Sequence, residues 1–368
     1  FLEKILTKLR LEILSAFVES NINLSKKCYN FIVSISAQCF LNEYVFSQSN
    51  KENKFIKKLL ISMEKSKKIN ELGIAILGCY MPIVLSKNIK KKLLRYKTKN
   101  ILFSDLIVMQ IQEPLREKDL VNSIQSFGKI SDSISKKVRR QYEENPYPRW
   151  RFTDVREPSN FLNVLNNQLK PNKVESAHTF KNPNALIAGC GTGSHIVVVE
   201  EYLNTKILGV DLSLASLAYA KRKTQELGFK NIEFLHADIL ELKNFNRKFD
   251  IIESIGTLHH MKRPEIGLEI LMNLLEPHGF LKLGLYSGVA RQHIIRAREF
   301  LKKNNYNNVR DIRKCREVIK NRLKDQSFQK VLDRADFYST SSVIDLIFHA
   351  QEHCFTILQL SKILKNLN

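Results

Sequence analysis

The sequence has no apolar run long enough to span a bilayer. The longest, Leu72 to Leu85, falls short of the ~20 residues a membrane helix needs and contains Pro82. No secretory leader is visible, although the first residue is Phe1 and not Met, so we expect a fragment cut at both ends. The six cysteines (Cys28, Cys39, Cys79, Cys190, Cys315, Cys354) form no C-x-x-C pair and no metal-type spacing. That excludes a disulfide scaffold and points to a reduced, cytoplasmic protein. Acidic residues are scarce, 37 Asp and Glu against 59 Lys and Arg, for a net charge of +22. Half of that excess lies in residues 1–130, which carry 22 basic and 11 acidic side chains. A polyanion such as RNA would suit it. Yet the basic run 87–99 holds a single aromatic, Tyr96, and no RNA-binding motif. We therefore read the excess as solvated helix faces, with nucleic acid a possible but not a favoured partner.

What is present divides the chain. At 368 residues it is long for one domain, and 43% apolar residues suffice for a buried core. Leu2, Ile5, Leu6, Leu9, Ile13, Leu14 and Phe17 recur at helical spacing, and 24–46 and 55–69 continue in that manner. Residues 1–130 are expected to form an all-helical domain that packs or binds a protein partner. No period of about 34 residues marks a helical repeat array. Residues 131–183 read as linker and lid. There Pro146 and Pro148 forbid helix, and Tyr142, Tyr147 and Trp150, the only Trp, crowd one turn.

The most informative stretch is Asn184 to Asp211, NALIAGCGTGSHIVVVEEYLNTKILGVD. An apolar run breaks at Gly189-Cys190-Gly191-Thr192-Gly193, a helix follows, and a second apolar run ends in Asp211. This predicts a right-handed βαβ unit. Bare backbone at the turn admits a ligand, and the terminal carboxylate can accept ribose hydroxyls. The spacing is G-x-G-x-G, with Ser194 where a dinucleotide fingerprint has its third glycine. Further short apolar strands are expected at 232–235, 249–253 and 280–286, with helices at 214–227 and 264–275, as in a parallel α/β sheet.

In these motifs the chain resembles the class I S-adenosylmethionine-dependent methyltransferases. Asn231 to Asp238 looks like their third strand, Phe249 to Glu253 their fourth, and Gly256-Thr257-Leu258-His259-His260-Met261 the loop after it. Leu274 to Tyr286 looks like their L-x-P-G-G turn and fifth strand, with His278 replacing the first glycine. Ile187 stands where an acid often precedes the first glycine. The segment QYEENPYPRW resembles one found ahead of the core in a bacterial group, some of whose members carry tetratricopeptide repeats. The resemblance implies a Rossmann-like doubly wound α/β core at 184–286, binding S-adenosylmethionine. Gly189, Cys190, Gly191, Thr192 and Gly193 would hold its methionine end, Asp211 and Leu212 the ribose, and Asp238 and Ile239 the adenine, with Glu253 nearby. Tyr142 and Tyr147 would line it as a lid, residues 287–354 would cap the acceptor, and 355–368 would begin a core helix. Strands six and seven would then be missing.

Methyl transfer from a sulfonium is an in-line displacement, so alignment matters more than any one side chain. His259, His260 and Tyr286 are the catalytic candidates, with Glu253 as another possible direct participant, because an O–H or protonated amine acceptor is helped by a base. The acceptor stays unidentified, with small molecule or protein ahead of RNA or lipid. His349-Ala350-Gln351-Glu352-His353 matches H-x-x-E-H, which on a helix would present two zinc ligands. No acid follows in 354–368 to complete that set, so we expect no metal. Two alternatives remain: a nucleotide- or NAD-binding enzyme on a similar sheet, and a non-catalytic binding module with a vestigial cofactor site.

Overall fold

The computed structural model describes residues 2–20, 25–154, 157–176, 178–199, 201–306, 311–322 and 324–367. The chain divides into two compact units, one of residues 1–116 with 299–346, the other of residues 117–298 with 347–368. Among the described residues, no helix is long and apolar enough to cross a membrane.

The first unit is helical. Leu2–Ser20, Lys26–Leu41, Asn50–Lys65 and Glu71–Gly78 are its first helices. Asn50–Lys65 starts on a capping box, in which the Ser49 backbone donates to Glu52 Oε2 at 2.6 Å and the Glu52 amide to Ser49 Oγ at 3.2 Å. The other oxygen of Glu52 receives buried Arg10 at 3.2 Å. Ile312–Lys320 joins this unit through Arg316, whose buried guanidinium donates to both Glu3 oxygens, at 3.1 and 2.9 Å, and to the carbonyls of Val45 and Phe337. A stretch expected within the acceptor cap, 299–346, thus packs with the N-terminal helices. The tie is a charge pair that the sequence separates by 313 positions.

The second unit is built on one parallel sheet. Its strands are β1 (Gln125–Ser126), β2 (Asn184–Ala188), β3 (Lys206–Asp211), β4 (Ile232–His236), β5 (Phe249–Ile255) and β6 (Leu275–Gly284). They lie in the order β1-β4-β3-β2-β5-β6. Alternate residues serve opposite faces: Leu186, Ala188, Leu208, Val210 and Ile252 pack in one core, Ala185, Ile187, Ile207 and Ile251 in the other. With both faces covered, the strands read as continuous apolar runs. The chain winds outward from β2 through β3 to β4, then returns to lay β5 on the other side of β2. The reversal puts a switch point at the carboxyl end of β2, where open α/β sheets bind ligands.

Two details depart from expectation. β1 lies inside the stretch expected to be helical, and two residues are too few to show an alternating pattern. β6 begins at Leu275, not at Phe280. Leu275 pairs with Phe249 and Phe280 with Ile251, so the Pro277-His278-Gly279 segment is absorbed as an irregularity within the strand. Among the described residues β5 is the only strand that pairs with β6.

Candidate active site

The bend after β2 is held by the neighbouring strand. The amides of Gly189 and Cys190 both donate to the Val210 carbonyl, at 2.8 and 3.0 Å. Gly191 has φ +52 and Gly193 φ +81, where a side chain is disfavoured. A Cβ on Gly193 would stand 2.8 Å from that of Ala220, so this glycine also lets the helix Leu214–Glu226 pack closely. At the end of β3, Asp211 takes the Gly191 amide on Oδ2 at 2.8 Å and the Ser213 amide on Oδ1 at 2.9 Å. Each oxygen keeps a second lone pair. Burial pushes this carboxyl up to about 6, the Ser213 and Gly191 amides pull it down, and nearby Glu143 pushes it up again.

The helix Leu214–Glu226 has all three of its first amides satisfied. Ser213 Oγ accepts from Ser216, while Glu143 accepts from Leu214 at 2.8 Å and from Ala215 at 3.2 Å. Glu143 comes from the helix Ser133–Glu144, which Asp132 caps and Pro146 terminates. Asp238 follows the neighbouring strand β4, and the Ala237 amide donates to the Asp211 carbonyl at 3.1 Å. Asp238 is buried and caps the short helix Ile239–Asn244 through the Leu240 amide at 3.0 Å. Burial raises its carboxyl pKa, against the Ser135 hydroxyl and the Leu240 amide. Ile239 is buried beside it. The Leu212 carbonyl is held by His236 Nε2 at 3.0 Å, whose Nδ1 meets Ser126 Oγ at 3.0 Å.

Beyond the bend, the segment that precedes the sheet returns as a strap. Trp150 Nε1 donates to the Thr192 carbonyl at 3.0 Å, Thr192 Oγ1 donates to the Pro148 carbonyl, and Tyr219 OH donates to the Trp150 carbonyl. A Cβ on Gly191 would lie 3.1 Å from the Tyr147 carbonyl oxygen.

A second group gathers past β5 and β6. His259 is fully buried between Tyr286, stacked on it at 3.8 Å, and His260, edge-on at 4.2 Å. Neither ring nitrogen of His259 has a hydrogen-bond partner. His260 Nδ1 meets the Gln351 carbonyl at 2.8 Å, and its ring stacks on His349 at 3.5 Å. His349 Nε2 meets Tyr142 OH at 3.1 Å. Arg291 lies over the Tyr286 ring at 3.5 Å and grips Glu352 with two hydrogen bonds, at 3.1 and 2.7 Å. Arg298 adds a third contact to Glu352 at 3.2 Å. Burial drives His259 down to about 2 and His260 to about 4, the cationic neighbours acting in the same sense. His349 falls to about 2 for the same first cause.

Residues 179–292 match the family described as a methyltransferase domain. This part of the chain is a methyltransferase domain. Its sheet is a Rossmann-like doubly wound parallel sheet. An uncharacterised protein of Synechococcus is 28% identical over 179 residues, which are 47% of this chain and 42% of that one. An uncharacterised protein of Rickettsia prowazekii is 28% identical over 185 residues, 48% of this chain and 71% of its own. The match thus spans less than half the length of the first of these relatives. Among solved structures, PKMT2 from Rickettsia typhi aligns at 21% identity and a TM-score of 0.46, over 60% of this chain and 44% of that one. The same protein in complex with AdoHcy aligns at 22% and 0.41, over 50% and 38%. Neither the dinucleotide reading nor the vestigial-site reading gains support from these comparisons.

The methyltransferase domain brings Gly189, Cys190, Gly191, Thr192, Gly193, Asp211, Leu212, Asp238 and Ile239 to one edge of the sheet. Glu253 is used elsewhere. It is fully buried, accepts from Tyr202 OH at 2.5 Å, meets His195 Nε2 at 2.5 Å and has Lys282 at 3.6 Å. Burial acts upward on its carboxyl, and His195 and Tyr202 outweigh it. Tyr142, expected in the lid, meets His349 Nε2 through its hydroxyl at 3.1 Å. The H-x-x-E-H segment is not helical: the helix Thr340–Phe348 ends before it, and 349–354 has no regular structure, with a bend at Ala350. The i, i+4 face needed for zinc therefore does not exist, because Glu352 is pulled onto Arg291 and the Phe355 amide onto the Tyr286 carbonyl at 2.8 Å. Sequence reasoning missed Glu143, since it acts across a long separation that no local pattern marks, whereas His349 was picked out only through the H-x-x-E-H match.

Proposed function

We propose that the chain transfers a methyl group from S-adenosylmethionine to a small-molecule or protein acceptor. The reading rests on one observation: in a methyltransferase domain, the Asp211 carboxylate accepts the Gly191 amide, so an acid and bare backbone share one edge of the sheet. When bound, the donor supplies an electrophilic methyl on sulfonium. The residues present fit it. Asp211 has lone pairs left for two ribose hydroxyls, Asp238 and Ile239 close the adenine side, and Gly191 leaves the backbone open toward the methionine end.

On the acceptor side the chain offers neutral imidazoles and a tyrosine. His259, with two unpartnered nitrogens, can accept from or donate to an incoming N–H or O–H. With a pKa near 2 it is a poor proton acceptor at neutral pH, so it orients the acceptor and does not deprotonate it. His260 and Tyr286 hold its ring in place. Alignment of donor and acceptor would then supply the rate, on the order of 7–11 kcal/mol in well-oriented systems.

Calorimetry with S-adenosylhomocysteine tests the cofactor half. Asp211→Ala should abolish binding, and unchanged affinity would overturn the assignment. Incubating fractionated cell extract with methyl-labelled donor tests the other half. Label should enter one fraction, and normal cofactor affinity with no label anywhere would favour a non-catalytic role.

A further inference from the structure

The edge of the sheet away from the glycine bend carries a cluster that methyl transfer does not use. His178 lies ahead of β2, Asp250 near the start of β5, and His278 in the irregular part of β6. His278 is the residue that departs from the glycine-rich turn the sequence otherwise resembles. Its Nε2 stands 2.7 Å from Asp250 Oδ1, and His178 Nε2 stands 3.9 Å from the same oxygen. One donor atom from each of the three residues falls within 4.8 Å of the others. We propose that His178, Asp250 and His278 bind a divalent transition-metal ion of the zinc class.

The donor set is the first reason. Two imidazoles and one carboxylate are borderline ligands suited to zinc, cobalt or nickel and poorly suited to calcium or magnesium. Spacing is the second. Bonds of about 2.0–2.2 Å in a tetrahedral site separate ligand atoms by roughly 3.4 Å, between the two distances observed here. The third is the support around the carboxylate. The Asn184 amide donates to Asp250 Oδ2 at 2.8 Å, which fixes the group and turns Oδ1 toward both imidazoles. Phe180 stands edge-on to His178 at 4.7 Å and packs with Phe280 at 5.7 Å, giving a polar centre in an apolar surround.

The two imidazoles stack at 3.6 Å with planes 22° apart, so coordination requires them to fan open. The His178 side chain, 38% exposed, has room to turn. A fourth position would remain for water. Asp250 and Asn184 begin their strands, whereas Gly189 and His259 follow theirs, so this ion takes no part in methyl transfer. It would clamp the segment leading into β2 onto the β5–β6 pair.

Cobalt titration of the chelator-stripped full chain tests this. One equivalent of Co(II) should give visible d–d absorption that Zn(II) abolishes. His278→Gly and His178→Ala should each weaken binding at least tenfold, while His349→Ala, in the other histidine group, should leave it intact. Zn(II) should raise the melting temperature of the parent chain and not that of Asp250→Asn. Circular dichroism on each variant separates lost ligation from lost fold, and with two independent histidine variants a single folding failure does not block the test. No uptake by the parent chain overturns the proposal. So does equal uptake by every variant, or loss on His349→Ala in place of His278→Gly.

Discussion

Asp211 is half-buried at the end of β3, where two amides already draw on its charge. Desolvation nevertheless lifts its pKa to about 6. In the proposed role a ribose hydroxyl would donate to the ionised form, so protonation should weaken cofactor binding. Between about pH 7 and pH 5 the ionised fraction falls roughly tenfold, and affinity for S-adenosylhomocysteine should fall with it. Asp211→Asn should bind weakly at both values. A parent-chain affinity that stays flat across this range would remove the carboxylate from the site. The residue stood out in the sequence because it closes the second strand of the βαβ unit that the glycine turn opens. Its raised pKa did not, since that depends on burial and on Glu143, 68 positions earlier.

The helix Leu214–Glu226 begins beside that carboxylate, and its first turn depends on a residue from another element. Glu143 accepts its first two amides, and as an anion it also favours the positive end of the helix dipole. Glu143→Ala should cost about 1 kcal/mol, the usual worth of a cap. Thermal unfolding would read this as a melting temperature lower by several degrees, and no change would show that water replaces the carboxylate freely. At this scale the sequence disclosed much. Strand–turn–helix order and the helices expected at 214–227 and 264–275 followed from local chemistry, the first ending ahead of Gly228 and the second starting on Pro264. Pairing over two residues in β1, the early start of β6 and the irregular run 349–354 did not, because each is decided by a neighbour distant in the chain.

Across the whole molecule, pH acts through groups held neutral by the fold. His259, His260 and His349 have folded pKa values depressed below the ordinary 6.5, while Asp211 has one raised above its ordinary 3.8. For the histidines, stability is fully present above pH 6.5 and is lost as pH falls toward about 4 for His260 and about 2 for the others. Asp211 acts oppositely between about 4 and 6, and Asp238, also raised by burial, in the same sense, but three histidines outnumber the two acids. The urea midpoint should therefore be higher near about pH 7.5 than near about pH 5, and His349→Gln should reduce the difference. Equal midpoints would mean that these rings accept protons within the fold.

The strap formed by Pro148 and Trp150 bears on kinetics as well as on binding. It crosses the Gly189–Gly193 bend and is fastened to Thr192 and Tyr219, so a donor bound as proposed should leave only when those bonds part. Escape of the demethylated nucleoside, and not the displacement itself, should then set the pace of turnover. Rapid-quench measurement should find a first methyl transferred faster than all later ones, and Trp150→Phe should erase that lead by speeding the later cycles. A strictly linear time course from the first cycle would show the gate standing open.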